Sequence, residues 1–424
     1  MRRTFALFLL ACVLSLVCAF AQKPKDVRLA AKPGASAIPV VAQYLNSAEP
    51  DTRAEAVKQL VAIGGKDIID PLIRATTDAD AEVQMRATDG LVNYYMPGYV
   101  KQGVASTISR AGNVVRSKFG DSNSQVIDAF VMVRPDVITA LGKVASGGVT
   151  MDSRANACRA LGILRGQPAL DSLIEALRTK DNRVMFESLV AIEKIRDASA
   201  GPRVAYLVRD LDDRVQSAAI ETVGILRAKE ALPALRGIIK NPRNKNAERS
   251  ALAALALMPE VADGAVLTDY LTSKDDHLRA SGAEGLGRIA DAASRPGLAK
   301  LWKEEDKMLP RLAAAFGLVM EGDSETAEDA PLTYLTNTLN SSAYREVAAA
   351  YLEEAARNPA VSKALFAALE KGTKDEKIQV SRILAKSGEA DAVPYLEKTS
   401  RDSDSEVAQE GLRALRSLRA RLKI

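Results

Sequence analysis

A single histidine, His277, stands among the 424 residues, and it bounds what this chain can do by side-chain chemistry. Imidazole acid–base catalysis, a nucleophilic triad or a multi-His metal centre would each draw on parts that are almost wholly missing. The sequence also holds no His-Glu pair, no C-x-x-C, no Gly-Lys-Ser/Thr phosphate loop and no G-x-S-x-G elbow. Gly147-Gly148 reads as a turn between helices. Of three cysteines, Cys12 and Cys18 lie in the apolar N-terminal stretch and Cys158 stands alone. Cys158 occupies a position held elsewhere by Leu189, Ile220 and Leu252, so it reads as a small buried hydrophobe, not a nucleophile. What remains are carboxylates, Glu187, Glu221 and Glu284, and surface solubility explains them as well as catalysis does. No cofactor is expected, and the chain is expected not to be an enzyme.

These residues belong to a recurring unit that must position them. DNRVMFESLVAIEKI starts at Asp181, DDRVQSAAIETVGIL at Asp212, NAERSALAALALM at Asn246, DDHLRASGAEGLGRI at Asp275, DKMLPRLAAAFGLVM at Asp306 and DSEVAQEGLRALRSL at Asp404. The steps from Val184 through Val215, Ala247 and Leu278 to Met308 are 31, 32, 31 and 30 residues. A fixed period of that size implies stacked supersecondary units. A second phrase precedes each turn: Ala231-Leu232-Pro233-Ala234-Leu235 matches Ala392-Val393-Pro394-Tyr395-Leu396, with looser copies at Ile38-Pro39 and at Ile69-Asp70-Pro71-Leu72. Proline suits the first helical position, where its missing N–H loses no partner, so it marks a first helix. Acidic turn residues such as Asp181 and Asp212 then cap a second helix.

The second helix can be set in azimuth. Val215, Ala219, Val223 and Leu226, with Ile220 on the flank, fall on one face, as do Val184, Ser188, Ile192 and Ile195 one unit earlier. Arg214, Ser217, Ala218 and Glu221 form a polar strip opposite. That strip is either a plain solvated face or the lining of a concave surface. On the second reading Phe186, Glu187, Arg214, Glu221, Arg249, His277 and Glu284 form a partner-binding surface. Phe186 is its informative member, because the aligned positions hold Ala155, Ser217, Arg249 and Ala280; local packing is the alternative for it.

The A-[LV]-P-x-L helix start, the D-x-x-V turn and the second helix ending in A-L-G resemble HEAT repeats, of the short bacterial type also found in phycobilisome-lyase-like proteins. Ala160-Leu161-Gly162 and Gly285-Leu286-Gly287 carry that ending, and Val223-Gly224 matches it in part. The resemblance implies an all-α fold, a right-handed α-solenoid of about ten helix pairs, with second helices lining the inner curve and partners held there. Low aromatic content, 4%, agrees with packed helices and argues against a β-sandwich.

The pattern breaks once. After Met96-Pro97-Gly98 no repeat phrase returns until Pro135-Asp136-Val137. Within that gap Val104, Ile108, Ala111, Val115 and Phe119 recur at helical spacing, after a tyrosine cluster of Tyr94, Tyr95 and Tyr99. A degenerate repeat, an inserted binding hairpin and a membrane-surface helix all fit. Glu321 to Ala330 reads as an acidic loop between two repeats. The organisation expected is a signal peptide at 1–21, a linker at 22–35, repeats at 36–96, an irregular or inserted helical segment at 97–135 and repeats at 136–424.

Met1-Arg2-Arg3, the apolar run Phe5 to Phe20 and the Ala19-Phe20-Ala21 site read as a cleavable leader, so the chain is expected to be exported and periplasmic or extracellular. A retained membrane anchor is the alternative. Removing Arg2 and Arg3 brings the formal charge of +4 to about +2, too small for a nucleic-acid footprint. The function expected is a non-enzymatic scaffold for protein–protein interactions in the cell envelope. The alternative is a lyase-like or chaperone protein for a tetrapyrrole or other cofactor. Its partner is expected to be protein and not nucleic acid, with membrane contact allowed but not required and a monomeric state.

Overall fold

The computed structural model describes residues 23–100, 125–128 and 130–424. The leader and the helical spacing from Val104 to Phe119 lie outside the described residues.

Proline and aspartate punctuate the chain as their chemistry requires. Pro39, Pro233, Pro296, Pro331, Pro359 and Pro394 each stand in the first two positions of a helix. Asp181 accepts from the backbone N–H groups of Arg183 at 3.1 Å and Val184 at 3.0 Å, and Asp212 does the same for Arg214 and Val215. Asp80, Asp275 and Asp404 cap in the same way, and Asn244 accepts from Ala247. Each such cap satisfies donors that a helix start otherwise leaves open, at about 1 kcal/mol apiece.

Two compact units result. The first runs to Ile195 and holds α1 (Pro24–Ala30), α2 (Ile38–Gln43), α3 (Pro50–Ile63), α4 (Ile69–Ala75), α5 (Ala81–Tyr95), α6 (Pro135–Gly147), α7 (Met151–Ile163), α8 (Leu170–Ala176) and α9 (Asn182–Ile195). The second spans Arg196–Ile424 with the short segment Asp128–Met132. It holds α10 (Gly201–Val204), α11 (Asp213–Ile225), α12 (Leu232–Lys240), α13 (Lys245–Leu257), α14 (Gly264–Tyr270), α15 (Asp276–Ile289), α16 (Arg295–Glu304) and α17 (Met308–Met320). It continues through α18 (Pro331–Thr338), α19 (Arg345–Ala355), α20 (Pro359–Lys371), α21 (Lys374–Ser387), α22 (Val393–Thr399) and α23 (Ser405–Leu422). From α2 to α23 these pair as first and second helices, eleven pairs among the described residues, and no strand is present there. The fold class is all-α, an α-solenoid. Within each unit every second helix packs on its own first helix and on the next second helix, as α7 does on α9 and α15 on α17.

The azimuth read from the sequence is met on the apolar side. Val215, Ala219 and Val223 are fully buried, with Ile220 and Leu226 nearly so. Val184, Ser188 and Ile192 follow, while Ile195 at the helix end is only half-buried, and the Ser188 hydroxyl donates to the Leu173 carbonyl at 2.7 Å. Cys158 is fully buried too, and burial, with Glu187 nearby, pushes its thiol up to about 12. Ala218 departs from the reading: it is buried, not part of a polar strip. A helix flanked by neighbours on two sides buries a wider arc than one stripe.

Small residues set the spacing of the second helices. A Cβ on Gly162 would lie 2.8 Å from the Cα of Ala191, and one on Gly224 3.0 Å from the Cα of Ala254. On Gly287 it would overlap the Cα of Gly317. The glycine that ends the A-L-G phrase is therefore the crossing point between successive second helices.

Where the period fails, α5 ends at Tyr95, whose hydroxyl accepts from the Arg134 backbone N–H at 3.1 Å, and its ring meets Tyr94 edge-on at 4.9 Å. Ile127 is buried, and its N–H donates to the Ile163 carbonyl at 3.0 Å. Helix returns at Pro135. Within 22–35, read from sequence as a linker, Pro24–Ala30 is helical and packs on α3 with Val27 fully buried. No helix lies between Met320 and Pro331, where the acidic loop was placed.

Candidate partner-binding groove

Three of the residues singled out from the sequence line one groove in the second unit. Arg249 comes from α13 and His277 and Glu284 from α15, while α17 and α19 close the far side with Leu309, Glu346, Val347 and Tyr351. The groove has a volume of about 580 Å³. Its walls between the charged groups are small and apolar: Ala253, Ala280 and Ala350.

Arg249 and Glu284 are each fixed by a neighbour. Arg249 holds Asp275 with both Nε (3.0 Å) and Nη2 (2.5 Å), and the Lys245 ammonium reaches the same carboxylate at 2.7 Å. Asp275 is also the cap of α15, accepting from the N–H groups of His277 and Leu278. The Arg249 guanidinium, joined by Lys245, keeps the Asp275 carboxyl far below the usual carboxylate range despite its burial. The cap therefore stays ionised and locks the start of the helix that presents His277, whose side chain is exposed.

Glu284 opens a deeper network. It accepts from the Tyr351 hydroxyl at 2.5 Å and from Arg288 Nη1 at 3.2 Å. Arg288 grips Glu354 through Nε and Nη2 at 2.8 to 3.1 Å, lies over the Phe316 ring at 5.0 Å and donates to the Ala256 carbonyl at 2.9 Å. Phe316 stacks on Tyr351 with ring centroids 4.6 Å apart. Burial, reinforced by the Glu284 charge, pushes the Tyr351 hydroxyl well above its ordinary value. Burial would raise the Glu354 carboxyl, but Arg288 and then Arg227 outweigh it and the value falls. Every member is satisfied by another, so the network is a rigid floor under the groove.

The other four residues lie elsewhere. Arg214 is exposed on α11. Glu221, on the same helix, keeps an exposed side chain, yet the protein around it strips enough water to raise its carboxyl above the usual range. Phe186 is half-buried on α9 in the first unit. Glu187 corrects the sequence reading: it is buried, 5% exposed, and bound by the Arg159 guanidinium through both carboxylate oxygens. A carboxylate on an otherwise polar-looking arc is drawn inward because the preceding second helix offers it a cation. Tyr351 and Glu346 were missed. Their repeat carries no acidic turn phrase, since its second helix is preceded by Tyr344 with no side-chain cap. A lone tyrosine in the Ala-rich run AAAYLEEA was the available signal.

The arrangement can hold a partner's polar and small apolar groups together. Among the described residues no group of three or more His, Cys, Asp or Glu side chains is placed to bind a metal.

A family model described as HEAT repeats matches residues 29–105 and 202–284. Those two stretches carry HEAT repeats. The chain is 25% identical over 222 residues to the phycocyanobilin lyase subunit alpha of Nostoc sp. (strain PCC 7120), covering 49% of this chain and 78% of that protein. Among solved structures, the complex of CpcE and CpcF of phycocyanin lyase from Nostoc sp. aligns at 19% identity and a TM-score of 0.37, over 62% of this chain and 90% of that chain. Importin beta aligns at 12% identity and a TM-score of 0.39, over 91% of this chain and 57% of that one.

Proposed function

We propose that the HEAT array is a non-enzymatic binding scaffold, exported and acting in the cell envelope, whose groove in the second unit takes a protein segment. The observation that carries this reading is the convergence of Arg249, His277 and Glu284 from neighbouring second helices on one open groove with a rigid floor. Arrays of this kind present extended surfaces, and their repeats touch only their neighbours. The leader at 1–21 supports the envelope, and N-terminal sequencing of the mature protein is expected to begin at Gln22.

The groove is tested by comparing capture from envelope extracts with wild type and with a His277→Ala, Ala280→Glu double variant. Ala280 lines the groove and is 2% exposed, so a carboxylate there obstructs it. A protein captured by wild type and lost by the double variant, at unchanged circular dichroism, supports the reading; equal capture by both overturns it.

The similarity to a phycocyanobilin lyase subunit favours a second reading, in which the same groove handles a tetrapyrrole or another cofactor. Titrating the chain with phycocyanobilin and following its absorption band separates the two. A saturable spectral shift, absent from the double variant, would replace the scaffold reading with this one.

A further inference from the structure

Five second helices carry a cation four residues after the residue that precedes them: Arg53, Arg154, Arg279, Arg311 and Lys377, after Glu49, Thr150, Asp275, Lys307 and Thr373. Three of them reach forward to the following repeat, always to the residue two before its second-helix cap. Arg53 holds Asp78 at 2.7 and 2.8 Å, Arg279 holds Glu305 at 2.7 and 3.2 Å, and Lys377 holds Asp402 at 2.8 Å. The corresponding caps are Asp80, Lys307 and Asp404. Arg53, Arg154 and Arg279 also reach back to a carbonyl of their own turn, that of Ser47, Gly148 and Ser273. These rungs tie one repeat to the next along the turn edge.

At Arg311 both partners are gone. The next second helix is preceded by Tyr344, so the register falls on Ser342, an exposed serine, and no Asp or Glu occurs from Pro331 to Tyr344. The guanidinium makes no ion pair or hydrogen bond among the described residues, and its Nε–H is buried without an acceptor. Glu305 is taken by Arg279, and Asp306, exposed on the preceding turn, makes no bond to Arg311. Two aromatic faces hold it instead: Trp302 at 4.7 Å and Tyr334 at 5.0 Å, which meet each other edge-on at 4.8 Å. The Tyr334 hydroxyl is turned away to the Met308 sulfur at 3.2 Å. Ring faces stabilise the cation and fix its plane; the Nε–H is sealed from solvent, and the unbonded Nη groups are the donors left for an outside acceptor. Exposed Lys307, one turn earlier, adds positive charge.

We propose that this open rung is completed from outside the chain, by a carboxylate of an acidic segment in a protein partner. The three intact rungs in the same register each take a carboxylate, and charge-assisted pairs of this geometry are the stronger class of hydrogen bond. Arg311 faces the first helices α16 and α18, whereas Leu309 of the same helix lines the groove, so this second contact point stands apart from the groove and does not depend on it.

Trp302 is the chain's single tryptophan, so its fluorescence reads the site directly. The full chain is titrated with a capped hexaglutamate peptide, with inorganic phosphate as a competitor and far-UV circular dichroism as the fold control. Wild type gives a saturable change in Trp302 emission that phosphate at equal concentration does not reverse. Arg311→Met weakens it at least about tenfold. Ser342→Asp supplies the missing carboxylate internally, so it suppresses peptide binding and raises the melting temperature. If Arg311→Met loses its helical signal, Ser342→Asp, on an exposed turn, decides alone. The proposal is overturned if wild type shows no response, if Arg311→Met binds as wild type does, if phosphate displaces the peptide, or if Ser342→Asp leaves binding unchanged. His277→Ala, Ala280→Glu retains the peptide response, which separates this result from that of the groove.

Discussion

Two arginines converge on Glu354, a residue that the repeat pattern does not single out. Its carboxylate meets Arg288, 8% exposed in its side chain, and Arg227, so its removal leaves a buried guanidinium short of its main partner. Removing one partner of a buried pair costs about 3–5 kcal/mol, far more than the pair itself contributes. Glu354→Ala is therefore expected to lower stability by an amount in that range, read by urea denaturation at neutral pH. Changing exposed Arg214 to Ala stays within about 0.5 kcal/mol. The pH dependence follows from the depressed Glu354 carboxyl. A group whose folded value lies below its unfolded one binds fewer protons when folded, so its stabilisation is complete above the unfolded value, about 4.3. It is lost as pH falls through the lower, folded value. Wild type should accordingly lose more stability than Glu354→Gln on acidification below about pH 4. Parallel losses in the two proteins would show that Glu354 is not titrating against Arg288.

At the scale of elements, the decisive contact is between α15 and α17, where Gly287 faces Gly317 so closely that a Cβ has no room. Glycine within a helix normally costs about 0.5–1 kcal/mol relative to alanine. Gly287→Ala would on that ground stabilise the protein, but overpacking at a tight crossing costs about 1–3 kcal/mol. The second effect is the larger, so a fall in melting temperature is expected; a rise would show that the two helices separate freely. The A-L-G phrase was legible in the sequence because glycine there answers a steric demand, at the crossings marked by Gly162, Gly224 and Gly287. So were the caps and the Pro starts, which are local rules of backbone hydrogen bonding. The fate of the charged arc was not. Glu187, Glu221 and Glu284 share a period and a residue type, yet one is buried against Arg159, one is exposed and one is tied to Tyr351. Those outcomes depend on which side chain the neighbouring helix presents, and periodicity carries no record of that. Tyr351 and Arg311 escaped for a related reason: both sit where irregular turns shift the register on which the reading relied.

On the scale of the whole second unit, several bonds depart from nearest-neighbour logic: Tyr351–Glu284 and Arg288–Glu354 each pass over α17, and one more reaches further. Arg227, just past α11, donates to Glu354 near the end of α19 at 2.8 Å, although 127 residues and three intervening second helices separate them. The bond is half in solvent, with Arg227 51% exposed, so alone it contributes at most about 1 kcal/mol. Its leverage comes from connectivity. In an array whose repeats touch only their neighbours, stability is a sum of local terms and the ends open independently. A bond from the first second helix of the unit to the fifth makes opening at either one strain the other. Arg227→Met removes the link while leaving the Arg288 grip on Glu354 in place. Native-state amide exchange should then show α11 opening more readily than α19, whereas in wild type the two share a similar opening free energy. Global stability should change by no more than about 1 kcal/mol. Identical exchange profiles in the two proteins would mean that α11 and α19 open without regard to this link, held by their local packing and by the shorter-range bonds of Arg288 and Tyr351.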